Sequence, residues 1–207
     1  ENVDWTELIT WVNAVLASED VPEVFVIDDE MDITMYRISY EMVSGNQGHW
    51  SDLSTEEIST VRDLMDTMIP TPSGCFIQGF SHWPLKSIGV EHLSGINLRQ
   101  EEINWISTKL TGDVQQEALF SYLTELGCVL RPGFKYGCKW RVYDDDVAKS
   151  HAPWLLQPMT EAPVSWEQTC LSVRLAEGVH KKWVCGLKED IGDWKFLHIK
   201  RWLPGRV

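Results

Sequence analysis

Apolar residues in the first segment of the chain recur at helical spacing. Leu8, Ile9, Val12 and Leu16 form one stripe, which predicts an amphipathic helix over Asp4–Ser18. The period then changes. Val24–Ile27 predicts a strand, Asp28-Asp29-Glu30-Met31-Asp32 an acidic turn, and Ile33–Tyr40 a returning strand. The end of the chain follows the same plan. A helix is predicted over Trp166–Glu177 and a strand over Trp183–Leu187. The turn Lys188–Asp193, holding Glu189, Asp190 and Asp193, leads to a strand over Trp194–Lys200. Val3-Asp4-Trp5-Thr6-Glu7 echoes Val164-Ser165-Trp166-Glu167. The pattern predicts a degenerate internal repeat of a helix–hairpin unit.

Between the two copies, Ser44–Trp50 is a glycine-containing loop. Ser54-Thr55-Glu56-Glu57 is a capping box, and it opens a helix with Ile58, Val61, Leu64, Met65 and Met68 inward. Pro70-Thr71-Pro72-Ser73-Gly74 breaks that helix, and Cys75–Phe80 predicts a short strand. A helix is expected from Asn97 or Leu98 through Leu110. Another is expected over Val114–Leu126, closed by Gly127. Three parts follow: 1–43, the last part of a degenerate repeat; 44–112, a small α/β domain; and 113–207, a second α/β domain.

Composition narrows the class. With 207 residues the chain can bury a real core, and no run of about 18 apolar residues suits a membrane span. The cysteines at 75, 128, 138, 170 and 185 contain no CxxC and mostly sit in apolar runs. They read as reduced core thiols of a cytosolic-type compartment, neither a disulfide framework nor a zinc site. Most of the 11 tryptophans read as core. The net charge of −13 argues at first against a polyanionic partner. Its distribution reverses that. Residues 1–130 carry 5 Lys and Arg against 22 Asp and Glu, whereas residues 131–207 carry 13 against 9. The basic last part can meet phosphate locally, since charges act over a Debye length of about 10 Å.

The candidate chemistry lies there. Arg131-Pro132-Gly133-Phe134-Lys135-Tyr136-Gly137 reads as a turn feeding a strand from Cys138 to Tyr143. In that strand Cys138, Trp140 and Val142 alternate with Lys139, Arg141 and Tyr143. An apolar face opposite a cationic face ending in a phenol suits phosphate and proton chemistry. His151 follows eight residues later. Tyrosine is a poor base near its usual pKa of about 10 unless cations favour the phenolate; Lys139, Arg141 and Lys181 are the residues able to do so. Tyr136 competes with Tyr143 and Lys182 with Lys181. Asp144-Asp145-Asp146 leaves a metal-dependent nuclease open, although no Glu-x-Lys follows on an obvious neighbouring strand.

Residues 97–207 resemble the C-terminal part of the tRNA-splicing endonucleases. The likeness runs through Gly133-x-Lys135-x-Gly137, the strand to Tyr143, the His151 segment, the helix Trp166–Glu177 and the turn Val179-His180-Lys181. It implies an α/β (α+β) catalytic domain similar to restriction-endonuclease-like folds, preceded by a smaller α/β domain and part of a non-catalytic repeat. It implies Tyr143 as general base, His151 as general acid and Lys181 as electrostatic stabiliser, with no cofactor and no metal. The substrate implied is precursor tRNA with a bulge-helix-bulge motif, cut to 2′,3′-cyclic phosphate and 5′-hydroxyl ends by an enzyme of the archaeal type. Arg174 matches one arginine that clamps a bulged base, and Arg201 or Arg206 could be the second. The acidic turns, Asp28, Asp29, Glu30 and Asp32 in one copy and Glu189, Asp190 and Asp193 in the other, match a loop that docks into a partner unit. In the first copy Asp20 falls near the place of Lys181, so that copy is catalytically empty. A start at Glu1 without Met, midway through a repeat, suggests a piece of a longer or split protein. A second chain or the missing half-domain, and further homo-oligomerisation, are therefore expected. The closing strands Ile33–Tyr40 and Trp194–Lys200 are expected to meet. A non-catalytic, RNA-positioning subunit of the same complex is the alternative.

Overall fold

The computed structural model describes residues 1–92, 95–113, 118–189 and 193–203. In chain order the elements are α1 (Trp5–Ala17), β1 (Glu23–Ile27), β2 (Ile33–Glu41), α2 (Thr55–Met65), β3 (Ile69–Thr71), β4 (Gly74–Gln78), β5 (Val90–His92) and β6 (Gly95–Arg99). They continue as α3 (Gln100–Thr111), α4 (Leu119–Glu125), β7 (Val129–Pro132), β8 (Trp140–Tyr143), β9 (Trp154–Pro158), α5 (Trp166–Gly178), β10 (Lys182–Lys188) and β11 (Trp194–Trp202). The fold is mixed α/β. No helix among the described residues is long and apolar enough to cross a membrane.

The chain divides into two units. The first comprises Glu1–Val43, Arg131–Val142 and His151–Val207; the second comprises Ser44–Leu130 and Tyr143–Ser150. A seven-stranded sheet runs β1-β2-β11-β10-β9-β8-β7. All its described pairings are antiparallel except β9 with β10, which run parallel. In the first unit the core gathers Val12 of α1, Val173 and Ala176 of α5, and Tyr36, Ile38, Leu155, Trp183, Cys185, Leu197 and Ile199 of the sheet. Burying each large apolar side chain contributes about 1.5–3 kcal/mol.

The repeat is more regular than the sequence suggested. Each copy places a 13-residue helix, a strand, a turn and a 9-residue strand at a constant offset of 161 residues, Trp5 to Trp166 and Ile33 to Trp194. Both helices are capped from the preceding residue. The Asp4 side chain accepts the Glu7 N–H at 3.0 Å, and Ser165 Oγ accepts the Gln168 N–H at 3.2 Å. Both turns are closed by the same backbone bond, Asp28 N–H to Asp32 O at 3.1 Å and Glu189 N–H to Asp193 O at 2.9 Å. The closing strands β2 and β11 meet within the chain, and the equivalent residues Ile38 and Ile199 face each other in the register.

In the second unit β3-β4-β6-β5 form a sheet, with α3 packed on β4 and β6. The capping box at Ser54 forms as expected, with Ser54 N–H on Glu57 at 2.8 Å. Gly127 closes α4 in the left-handed region at φ 76°, and the Cys128 N–H reaches back to Leu123 O. The helix expected from Asn97 or Leu98 starts later. Gly95–Arg99 is a strand with Ile96 and Leu98 buried, and Glu102 fixes the helix start at Gln100 by accepting the Arg99 N–H at 2.8 Å. That carboxylate is fully buried and also accepts the Arg99 guanidinium and the Gly89 N–H, each at 2.9 Å. Of the helix expected over Val114–Leu126, residues 114–117 lie outside the described residues and Leu119–Glu125 is helical.

Other expectations shift. β8 starts at Trp140, not Cys138, because a short 3-10 turn over Phe134–Tyr136 and a left-handed Gly137 precede it. Its faces do not divide cleanly into apolar and cationic: lying between β7 and β9, it has Trp140, Val142 and Tyr143 all buried. Five tryptophans (83, 105, 140, 154 and 183) are buried, fewer than expected, and Trp11 is exposed. The cysteines are free thiols, all buried except the half-buried Cys170.

Ile38 and Ile199 are each about 1% exposed, so truncating either to Ala should cost about 2–4 kcal/mol in denaturant unfolding. Because they face each other, the double variant should lose less than the sum of the single losses, by about 0.5 kcal/mol or more. Strict additivity would show that the two side chains do not share a site.

Candidate active site

The end of α5 sets the position of Lys181. His180 adopts φ 55°, and the His180 and Lys181 N–H groups return to the carbonyls of Glu177 at 3.0 Å and Ala176 at 2.9 Å. This is a Schellman closure with histidine where glycine is usual. The first copy closes in the same way with Glu19 at φ 62°, and Asp20 then occupies the place of Lys181. The helix end thus turns Lys181 directly onto the start of β10.

The strands then bring Lys181 and the segment after His151 to one edge. Val142 of β8, Trp154 of β9 and Lys182 of β10 are register partners across three neighbouring strands. Tyr143 is the last residue of β8 and falls in the second unit; Pro153 precedes Trp154, and Lys181 precedes Lys182. His151 lies exposed, three residues before β9. Lys181 is tied to the His151 segment: its Nζ donates to the Ala152 carbonyl at 2.6 Å, and the Lys182 N–H donates to Pro153 O at 2.9 Å. Partial burial, with a smaller contribution from the Arg141 guanidinium, lowers the pKa of Lys181 below its ordinary value. Tyr143 is 6% exposed.

The remaining candidates are spread over the first unit. Arg141 Nε donates to Pro132 O at 3.1 Å, and Lys139 pairs with Glu161 at 2.5 Å. Arg174 on α5 and Arg201 on β11 are both exposed and share a neighbour, the Tyr36 phenol. Burial raises the Tyr36 pKa, the hydrogen bond with Cys170 adds to the rise, and Arg201 and Arg174 pull against it. Arg206 and Asp190 lie outside the described residues. In the first acidic turn Asp28 is a local organiser, accepting the N–H groups of Glu30 at 3.0 Å and Asp32 at 2.9 Å. In the second, Glu189 pairs with Lys195 at 2.6 Å. Asp29, Glu30, Asp32 and Asp193 are exposed.

Of the acidic run after β8, Asp145 accepts from Gln47 at 3.2 Å, and Asp146 accepts the Ala148 N–H at 2.9 Å. Among the described residues no group of three or more His, Cys, Asp or Glu is placed to hold a metal ion. Two participants went unnoticed in the sequence. One is the Ala152 carbonyl, which has no side-chain signature. The other is Glu41, whose Oε1 accepts from Lys182 Nζ at 2.7 Å and from Trp154 Nε1 at 3.2 Å.

Residues 114–196 match the family model described as tRNA intron endonuclease, catalytic C-terminal domain. Over 177 residues the chain is 27% identical to a tRNA-splicing endonuclease of Thermoplasma volcanium, covering 86% of this chain and 54% of the relative. A tRNA-splicing endonuclease of Natronomonas pharaonis is 26% identical over 201 residues, covering 86% of this chain and 59% of the relative. One from Methanopyrus kandleri is 29% identical over 107 residues, covering 50% and 59%. The chain therefore spans little more than half the length of these endonucleases. The matched segment contains Tyr143, His151, Arg174 and Lys181.

A left-handed histidine carries steric strain that glycine would not, on the order of 1–2 kcal/mol, partly offset by the greater freedom glycine has when unfolded. His180→Gly should therefore stabilise the fold by about 0.5–1 kcal/mol in denaturant unfolding. A loss of stability would contradict the left-handed closure that places Lys181.

Proposed function

We propose that this chain carries the catalytic part of a tRNA-splicing endonuclease, cutting precursor tRNA at bulged splice sites of a bulge-helix-bulge motif. The observation that carries the reading is the joint placement of Lys181 and the His151 segment at the mouth of β9 and β10, inside the segment that matches the family. In the proposed reaction Tyr143 takes the proton of the 2′-hydroxyl, whose oxygen attacks the adjacent phosphorus. The bond to the 5′-oxygen breaks, and His151 protonates that leaving oxygen. The products are a 2′,3′-cyclic phosphate and a 5′-hydroxyl. Lys181, a compact charge with lowered pKa, sits against the non-bridging oxygens as negative charge builds there. An acid, a base and a fixed cation suffice for this step, and we propose that it proceeds without a metal ion.

Arg174 and Arg201 are the proposed base clamp, supported by their shared position beside Tyr36. Lys139 and Arg141 would flank the RNA backbone. Residues 1–43 act as the last part of a non-catalytic repeat, 44–112 as the accessory α/β domain and 113–207 as the catalytic domain. The acidic turns would dock neighbouring units in a larger assembly, in keeping with a cytoplasmic, archaeal-type enzyme. A second chain or the rest of the same protein would complete that assembly.

His151→Ala should slow single-turnover cleavage of a bulge-containing precursor by about 10²-fold or more while leaving RNA affinity nearly unchanged. Wild-type cleavage should persist in EDTA and leave a cyclic phosphate end. Undiminished cleavage by His151→Ala would remove the acid assignment, and loss of cleavage in EDTA would return the metal-dependent reading.

A further inference from the structure

We propose that Glu41, in the copy without catalytic residues, is a positioning residue for the catalytic edge of the sheet. The inference rests on the function proposed above and adds to it a residue from outside the matched segment. Glu41 is the last residue of β2, and its side chain is 17% exposed. One oxygen accepts from Lys182 Nζ at 2.7 Å and Trp154 Nε1 at 3.2 Å; the other lies 3.9 Å from His198 Nδ1. Trp154 opens β9, three residues after His151, and Lys182 opens β10, one residue after Lys181. Trp154 and Lys182 are also register partners. A single carboxylate thus holds the first rung of the two strands that present the proposed acid and the proposed cation.

The surrounding bonds make this rung a lever. Lys181 and Lys182 are already joined to the segment after His151, through Ala152 and Pro153. Glu41 anchors the joined pair to β2, which reaches it across β11. Burial alone would raise the Glu41 pKa, but the bonds from Lys182 and Trp154 outweigh it and hold the group below the ordinary carboxylate value, so it stays charged at neutral pH. Burial lowers the His198 pKa, although Glu41 itself pulls it upward. At the constant offset of 161 residues the counterpart of Glu41 is Trp202. The carboxylate therefore has no counterpart in the second copy, although its bonds run to that copy's strand β10 and to β9.

The test combines two readouts on the intact chain. The first is the rate at which a small acylating reagent modifies Lys181, read by peptide mass spectrometry with exposed Lys149 as the internal reference. In Glu41→Ala, Lys181 should react about threefold faster or more, because its bond to Ala152 loosens, and Glu41→Gln, which keeps an acceptor for Trp154, should fall between. The second is cleavage: Glu41→Ala should lower kcat by about tenfold with KM within about twofold, the pattern of lost orientation. If Glu41→Ala does not fold, Glu41→Gln carries both readouts. Unchanged Lys181 reactivity in a folded variant overturns the proposal, including the case in which Lys182 alone becomes more reactive. A completed wild-type assembly that cuts no precursor RNA would defeat the proposed function instead, and the acylation arm would still decide the role of Glu41.

Discussion

The antiparallel pairing of β2 with β11 is the constraint on which the first unit depends. It is the longest pairing in the sheet, running from Phe196 opposite Glu41 to Trp202 opposite Met35. Its centre matches equivalent residues of the two copies, Ile38 with Ile199. The segments before the helices repeat that relation: Val3 N–H bonds Val164 O at 2.9 Å, and these too are equivalents. Two antiparallel contacts, each centred on like residues, require a local two-fold relation between the copies. Two half-sized hydrophobic faces, each too small to stand alone, are thereby merged into one core from Val12 to Ile199.

Once symmetric in backbone, the copies diverge in what borders them. β10 has β9 on its far side, in parallel register, whereas the corresponding strand β1 is a sheet edge. The consequence shows in burial. β10 is buried from Trp183 to Leu187, while Phe25 and Ile27 of β1 are each 55% exposed. An edge strand of this kind is open to pairing with another chain. The chemistry diverges likewise, because the same left-handed helix ending delivers Lys181 in one copy and Asp20 in the other.

Local interactions fix Lys181 at the start of β10. The Schellman turn fixes the backbone, the Ala152 carbonyl accepts from the ammonium, and partial burial, with a smaller push from Arg141, lowers its pKa; among the described residues no carboxylate pairs with it. Neighbouring Lys182 is paired with Glu41 at 2.7 Å. That contrast distinguishes the two adjacent lysines on the same side as the Val-x-Lys spacing, which favours Lys181.

Periodicity and capping chemistry in the sequence determined both helix–hairpin copies, the Ser54 capping box and the Gly127 helix end, because each depends on residues within a few positions of one another. The Tyr143, His151 and Lys181 candidates came instead from the resemblance to a family, since those three residue types in that order carry no local physical signal. Strand β9 was not legible in the sequence. Trp154-Leu155-Leu156-Gln157-Pro158 is an interior strand between β8 and β10, so it carries a short apolar run without alternation. β7 and β5 are too brief, at 4 and 3 residues, to show a period at all. Register was likewise decided only by tertiary structure, and with it the common edge of β8, β9 and β10. So were the Ala152 carbonyl under Lys181 and the reach of Glu41 across 141 residues to Lys182. Such contacts are set by which strands lie side by side, and that follows from burying the two copies' apolar faces together, not from any local preference of the residues involved.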